Sequence, residues 1–128
     1  MLQGMKTLIA TTTALLTLPL LAAPPAQASD DEVRRSGSCS GSTDWKIKAK
    51  PDDGRIEVQA EIDSNRNGQT WRWRLRHNGL LVDSGRSTTQ PPSGSFEVER
   101  RTRNAAGPDS FRFRAVHGDE VCVARVTL

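Results

Sequence analysis

The amino-acid sequence predicts an all-β fold, an antiparallel two-sheet sandwich of about seven strands, immunoglobulin-like or fibronectin type III-like, with one disulfide. Three observations predict it. Apolar and polar residues alternate along several short segments, turn residues separate these segments at intervals of about 8 to 12 residues, and no useful window has the period of a helix. A chain of 128 residues has room for one such domain, which we expect over residues 38–128.

Residues 1–28 have the features of a secretory signal peptide. Lys6 is the only charged residue before Asp30, and residues 7–21 form an uncharged, mostly apolar run. Ala26-Gln27-Ala28 then supplies the small residues that a signal peptidase requires, so we expect cleavage after Ala28. A membrane anchor is the alternative interpretation of this run, but its prolines and the cleavage pattern favour a secreted, extracellular protein.

The next segment, residues 29–37, is polar and has no alternating pattern, so we expect a flexible leader there. The first strand pair follows it. Apolar residues alternate with lysines over residues 45–50, and the turn Pro51-Asp52-Asp53-Gly54 leads to a second alternating segment over residues 56–62. The two segments predict a hairpin whose outer face sets lysines opposite glutamates.

The third predicted strand has one apolar face and one charged face. These faces carry, in order, Trp71, Trp73 and Leu75, and Arg72, Arg74 and Arg76. Because buried tryptophan is common in β-sandwiches, we expect the apolar face to pack in the core. Asn78-Gly79 predicts a type I′ turn into a fourth strand that begins at Leu80.

Two longer loops and three further strands complete the prediction. A loop over residues 84–94, which contains paired prolines, leads to a strand over residues 96–99. A loop over residues 102–109 leads to a strand over residues 111–115, where Arg112 and Arg114 alternate with apolar residues. A turn at residues 117–120 precedes the last strand.

The two cysteines, Cys39 and Cys122, lie near the two ends of the predicted domain. In an exported protein such a pair most simply forms a disulfide, whereas a metal site would need more ligands. The bridge would close a loop of about 83 residues and stabilise the fold by about 4 kcal/mol. We therefore expect it to be structural.

Several turn and strand-face motifs occur along the chain after the signal peptide. They are Pro51-Asp52-Asp53-Gly54-Arg55-Ile56-Glu57-Val58, Asp63-Ser64-Asn65-Arg66 with Gln69 and Trp71, and Ser93-Gly94-Ser95-Phe96, together with a Cys near each end. This combination resembles small secreted actinobacterial β-sandwich proteins of unknown function. The resemblance covers most of the chain after the signal peptide. It implies a single exported β-domain and carries no activity or site.

Five arginines on two predicted strands are the main candidate for an anion-binding surface. They are Arg72, Arg74, Arg76, Arg112 and Arg114. In an immunoglobulin-like sheet these strands are neighbours, and like charges opposite one another destabilise a sheet unless carboxylates or a bound anion compensate them. Teichoic acid, another phosphate-rich polymer or an acidic glycan of the cell envelope would supply that anion. Alternatively, the arginine stems cover the sheet and their heads reach Asp and Glu side chains.

The balance of 18 Lys and Arg against 15 Asp and Glu gives a formal net charge of +3, which provides little long-range attraction. Nucleic acid is a less suitable ligand than other anionic polymers, because exposed aromatic rings usually hold the bases. Here Trp71 and Trp73 are expected on the face opposite the arginines.

A weak calcium-loop pattern begins at Asp63. Asp63, Asn65 and Asn67 match the opening of such a loop, and Asp119 of the last turn could add an oxygen ligand. The twelfth position is Arg74 and not the bidentate Glu of a calcium loop, so the pattern favours turn capping over metal binding. No motif indicates a cofactor.

No catalytic constellation is expected. His77 and His117 are the only histidines, and an immunoglobulin-like strand order places them at opposite ends of the sandwich. The sequence therefore predicts an exported, non-enzymatic protein that acts by binding an anionic polymer or a secreted protein, or as an envelope-associated structural module. Two alternatives stay open: inhibition of a secreted hydrolase through residues 84–94, and carriage of a small ligand by the loops at residues 63–69 and 117–120.

Overall fold

The computed structural model describes residues 31–128 and, before them, only the single positions Gly4, Ala14 and Pro19. The signal peptide predicted over residues 1–28 therefore lies outside the described residues. Within the part of the chain that is described, no helix has the length and apolar character needed to cross a membrane.

The described chain folds into eight strands and no helix. The strands are β1 (Val33–Ser38), β2 (Asp44–Asp52), β3 (Arg55–Asp63), β4 (Thr70–His77), β5 (Leu80–Thr88), β6 (Ser95–Arg103), β7 (Ser110–His117) and β8 (Glu120–Thr127). They form two antiparallel four-stranded sheets, with the order β1-β2-β3-β6 in the first sheet and β5-β4-β7-β8 in the second. The predicted all-β sandwich is confirmed, with one strand more than expected.

The core lies between the two sheets and is built by strands that alternate strictly between buried and outward residues. Strands β3, β4 and β7 show this alternation best, as expected for strands that bury one face. Their buried residues are Ile56, Val58, Ala60 and Ile62 on β3, Trp71, Trp73 and Leu75 on β4, and Phe111, Phe113 and Ala115 on β7. The tryptophans of β4 are therefore core residues, as predicted.

Strand β1 corrects the prediction of a flexible leader over residues 29–37. Val33–Ser38 pairs along its whole length with β2, and Gly37 faces Trp45. A Cβ atom on Gly37 would lie 2.6 Å from the indole of Trp45, so the glycine is what lets the ring lie against β1. The strand was missed because β1 is an edge strand that is mostly exposed and thus needs no apolar alternation.

Strand β5 corrects the prediction of a loop over residues 84–94. The strand runs on to Thr88 beside β4, so only residues 89–94 remain as a connection. A register shift between Leu75 and Arg76 leaves Val82 as an extra residue on β5. Strand β5 pairs with β4, whereas a constant-type immunoglobulin domain would place it beside β6.

The predicted disulfide between Cys39 and Cys122 is confirmed. It ties the connection between β1 and β2, which belong to the first sheet, to strand β8 of the second sheet. Two hydrogen bonds reinforce this junction: the Ser40 amide donates to the Val121 carbonyl at 2.9 Å, and the Thr43 amide donates to Glu120 Oε1 at 2.9 Å. One edge of the sandwich is therefore closed covalently.

Candidate functional site: the arginine face

The outer face of the second sheet carries seven arginines, and we call this surface the arginine face. Five of them are the predicted residues Arg72, Arg74, Arg76, Arg112 and Arg114. The other two, Arg86 of β5 and Arg125 of β8, were not among the predicted residues. The alternation of Ala124, Arg125 and Val126 was a signal for Arg125, whereas Arg86 lies in a polar stretch that reads as a loop.

The strand registers set these arginines directly opposite one another. Four cross-strand pairs are arginine against arginine, and they link all four strands of the sheet. The pairs are Arg72 with Arg86, Arg74 with Arg114, Arg76 with Arg112, and Arg112 with Arg125. Residues directly opposite in antiparallel strands have Cβ atoms about 5 Å apart, so each pair concentrates two positive charges.

In the part of the chain that the structure describes, these charges have no carboxylate partner. The strands of the second sheet contain only two acidic residues, Asp83 and Glu120, and both are engaged elsewhere. Asp83 forms an ion pair of 2.8 Å with Arg100 of the first sheet, and Glu120 accepts the hydrogen bond from Thr43. Among the described residues, none of the seven arginines has a carboxylate oxygen within 4.0 Å of its guanidinium nitrogens. The alternative in which Asp and Glu side chains neutralise the arginines is therefore not observed.

The two sheets differ in their charge content. The outer face of the first sheet mixes acidic residues with the three lysines of the described chain, Lys46, Lys48 and Lys50 of β2. Ion pairs form there, such as Lys50 with Glu57 and Arg101 with Asp52. Every cation of the arginine face, by contrast, is a guanidinium.

Two shallow grooves on the arginine face are each lined by at least three of its arginines. The first, of about 390 Å³, is lined by Arg72, Arg74, Arg86 and Arg114, and its floor includes Gly85. The second, of about 520 Å³, is lined by Arg76, Arg112 and Arg125 together with Ser110 and Thr127. Each groove thus presents several guanidinium groups to one volume that a polar chain could fill.

Trp73 lies beneath the first groove and is held by two contacts. Its indole Nε1 donates to Ser87 Oγ at 3.0 Å, and the Arg100 guanidinium carbon lies 5.3 Å from the ring centroid. A Cβ atom on Gly85 would lie 2.9 Å from the indole, so the absence of a side chain there lets β5 lie against the ring. The hydrogen bond from Arg100 lowers the pKa of the Asp83 carboxyl, so it favours the charged carboxylate in the ion pair between Asp83 and Arg100.

The two histidines lie at opposite ends of β4. His77 Nε2 is 2.6 Å from Asp109 Oδ1, both side chains are buried, and the His77 ring stacks on Phe111. Asp109 Oδ1 also accepts a hydrogen bond from the Ala105 amide, so this pair fastens the connection between β6 and β7. His117 Nδ1 lies 2.8 Å from the Thr70 carbonyl at the other end. Each histidine thus has a defined packing role, and the two do not share a site.

The loop at Asp63 is organised as a turn. Asp63 Oδ1 accepts a hydrogen bond from the Asn65 amide at 3.1 Å, and Asn65 has a positive φ of 55°. This is the turn-capping arrangement that competes with metal binding. No group of three His, Cys, Asp or Glu side chains that could hold a metal ion occurs in the described chain. The geometry therefore adds nothing to the candidate site of Asp63, Asn65, Asn67 and Asp119.

The connection at residues 89–94 is anchored at both ends. Thr89 is buried and its hydroxyl donates to the Arg66 carbonyl at 2.5 Å, while the Ser64 hydroxyl bonds the Gly94 carbonyl at 3.2 Å. Gly94 has a φ of 70°, and a Cβ atom there would overlap the backbone of Arg66. The connection at residues 89–94 is therefore packed against the turn at residues 64–66.

An exposed apolar patch was not anticipated. Leu80, Leu81 and Val82 at the start of β5 are the large hydrophobic residues that the described structure exposes. Leu81 is opposite Arg76, so the patch borders the arginine face at one corner.

Comparison of the chain with protein-family models, with curated proteins and with solved structures finds no match.

Proposed function

We propose that the protein is an exported, non-enzymatic binding module that holds an anionic polymer on the arginine face. The observation that carries the proposal is the set of four directly opposed arginine pairs, which have no carboxylate beside them among residues 31–128. Like charges in this register destabilise a free sheet. An anion that lies between the guanidinium groups would remove that cost, and binding would then be favoured.

The chemistry of the cations supports a polyanion as the ligand. A guanidinium presents a planar fork of N–H donors that binds carboxylate or phosphate oxygens with two parallel hydrogen bonds. Single exposed pairs of this kind contribute only about 0 to 1 kcal/mol. A polymer engages several pairs at once, and each further contact is made at high effective concentration, so affinity accumulates along the chain.

Export and the fold type belong to the same proposal. The disulfide between Cys39 and Cys122 supports an oxidising compartment such as the cell exterior. The pairing of β5 with β4 supports a fibronectin type III-like arrangement over a constant-type immunoglobulin one. A polymer of the cell envelope would be the available ligand in that setting.

Retention of the purified protein on a phosphate-bearing cation-exchange resin tests the proposal. We expect retention that falls steeply with salt, because each neutralised phosphate releases counterions. Replacement of Arg72 and Arg74 with Glu should shift elution to much lower salt. The matched control replaces Arg55 and Arg103 with Glu. This change also reverses two charges of opposed arginines, but on the first sheet.

Equal shifts in the salt concentration at elution for both double variants would contradict the proposal, because they would show that retention depends only on the net charge of the protein. Absence of retention at low salt would contradict it as well. Far-ultraviolet circular dichroism of each variant establishes that the sheets are intact before elution is compared.

A further inference from the structure

The arginines do not cover their sheet evenly but follow a diagonal band. We call arginines that lie directly opposite one another on neighbouring strands a level. The first level is Arg86 and Arg72 on β5 and β4, and the second is Arg74 and Arg114 on β4 and β7. The third level is Arg76, Arg112 and Arg125 on β4, β7 and β8. Apolar Val116, Val121 and Val123 occupy the corner on one side of the band. The charged surface is therefore a stripe that runs from one edge of the sheet to the other.

The spacing of the stripe follows from sheet geometry. Successive levels are two residues apart, which is about 6.8 Å along a strand. The centre of the level moves sideways by one strand, about 4.8 Å, from the first level to the second, and by half a strand, about 2.4 Å, from the second to the third, which extends from β4 to β8. The two steps from one charged level to the next are then about 8 Å and about 7 Å. Three levels give a track of two such steps, with at least two guanidinium groups facing each position.

We propose that the ligand of the arginine face is a linear phosphodiester polymer of short polyol repeats, lying along this stripe with one phosphate at each of its three levels. The inference rests on the proposed function and names the class of polymer. A phosphodiester group has two unbridged oxygens and can accept hydrogen bonds from guanidinium groups on both sides. In a phosphodiester polymer the charged group is part of the main chain and can lie between opposed arginines, whereas a uronate carries its carboxylate as a side group of the sugar ring.

The face also argues against a nucleic acid as the polymer. Proteins that hold single strands without sequence preference stack the bases on exposed aromatic rings. In the described chain Trp71, Trp73, Phe111 and Phe113 are all buried in the core. The outward residues between the arginines are instead small or aliphatic, such as Ser84, Ser110 and Val116. A polymer without bases needs only the charges and the grooves.

The experiment measures binding of labelled glycerol phosphate oligomers of increasing length to the full protein. We expect affinity to rise with each repeat up to about three, the number of levels, and then only by the statistical gain of a longer chain. The slope of log K against log salt for a long oligomer should be about −2, as expected for roughly three phosphates on a flexible single chain.

Variants and competitors locate the contact. Replacement of Arg74 and Arg114 with Gln, at the middle level, should weaken binding at least about tenfold, since each loses charge-assisted hydrogen bonds. The matched replacement of Arg55 and Arg103 with Gln on the first sheet should change it less than about twofold. Oligothymidylate and a polyuronate of equal charge should compete at least about tenfold less well than the polyol phosphate.

The outcomes separate this inference from the proposed function. If the polyuronate or the oligothymidylate binds as tightly as the polyol phosphate and the Arg74 and Arg114 variant weakens all three, the arginine face is a general polyanion site and the phosphodiester inference is wrong. An affinity that does not depend on length beyond one repeat would also overturn it. If no polyanion binds, both fail.

Discussion

Glu61 of β3 is a carboxylate whose surroundings disfavour its negative charge. It lies directly opposite Glu97 of β6, and Gln59 Nε2 donates to Glu97 Oε2 at 2.6 Å. Partial burial raises the pKa of the Glu61 carboxyl above its ordinary value, and the Glu97 carboxylate raises it further against the lowering effect of Lys46. The first sheet therefore contains an opposed acidic pair, the counterpart of the arginine pairs on the second.

The raised pKa predicts how stability depends on pH. A group that is more easily protonated in the folded state contributes stability fully below its unfolded pKa and loses that contribution as pH rises through the folded pKa. Because Gln resembles the protonated form, Glu61→Gln should unfold like the parent at about pH 3 and be more stable by about 0.5 kcal/mol at pH 7. Urea unfolding at the two pH values measures the difference.

Glu99→Gln is the control for this prediction, because Glu99 also lies on the first sheet but is opposed by the neutral Gln59. It should give no gain that grows between about pH 4 and pH 7. A constant difference between Glu61→Gln and the parent at all pH values would show that packing, and not charge, distinguishes the two side chains.

Strands β4 and β7, the central pair of the second sheet, combine a stable inner face with a costly outer face. Their inner residues include Trp73 and Phe113, whose rings stack at a centroid distance of 5.6 Å. Burial of such side chains contributes about 1.5 to 3 kcal/mol each. That contribution is larger than the cost of an opposed arginine pair, which is of the order of 1 kcal/mol or less. The strand pair can therefore retain an outer face that lowers its own stability.

Charge reversal of one arginine separates these two effects. Arg114→Glu places a carboxylate opposite Arg74, so the free protein should gain about 0.2 to 1 kcal/mol of stability. The same change should abolish retention on the phosphate-bearing resin at moderate salt. Thermal unfolding and the salt concentration at elution, measured on one preparation, test whether the stability increases while the binding to the resin weakens.

The control for that change is Arg103→Glu, which opposes Arg55 on the first sheet. It should give a similar gain in stability while elution changes little. A loss of stability in Arg114→Glu would show that the opposed arginines do not destabilise the free sheet, and it would contradict the proposed binding of an anion between them.

The elements that could be predicted from the sequence are those that bury one complete face. Strands β2, β3, β4 and β7 are of this kind. Their alternation of apolar and polar residues is visible in a short stretch of sequence, without knowledge of the neighbouring strands. Strand β1 and the second half of β5 lie at sheet edges, where few residues are buried, so Ser84–Thr88 reads as a polar loop and Arg86 was missed with it. The opposition of Arg74 and Arg114 depends on the register between distant strands, which no local pattern contains.

At the scale of the whole molecule, two layers with different outer surfaces are joined by one covalent bridge. The disulfide connects residues separated by 83 positions and crosses from the first sheet to the second. In the chain-entropy description, the stabilisation comes from the restriction that such a long loop imposes on the unfolded chain. The bridge therefore stabilises the contact between the two sheets in addition to their shared core.

Removal of the bridge should lower the stability without changing the ligand preference. Replacement of Cys39 and Cys122 with Ala is expected to cost about 2 to 5 kcal/mol, measured by urea unfolding against the oxidised parent. The folded fraction should still bind the resin, because the arginine face lies on strands held by their own ladders. Comparison with the reduced parent separates loss of the bridge from loss of the sulfur atoms. A loss below about 1 kcal/mol would contradict a structural role.

All the lysines of the described chain lie on the first sheet, and this has a practical consequence. Amine-directed reagents modify lysine and leave guanidinium groups untouched, and the lysines of the described chain all point outward from β2. A dye, biotin or surface attached through them is placed on the side of the molecule away from the seven arginines. Protein immobilised in this way would present the arginine face toward solution, with its chemistry unmodified.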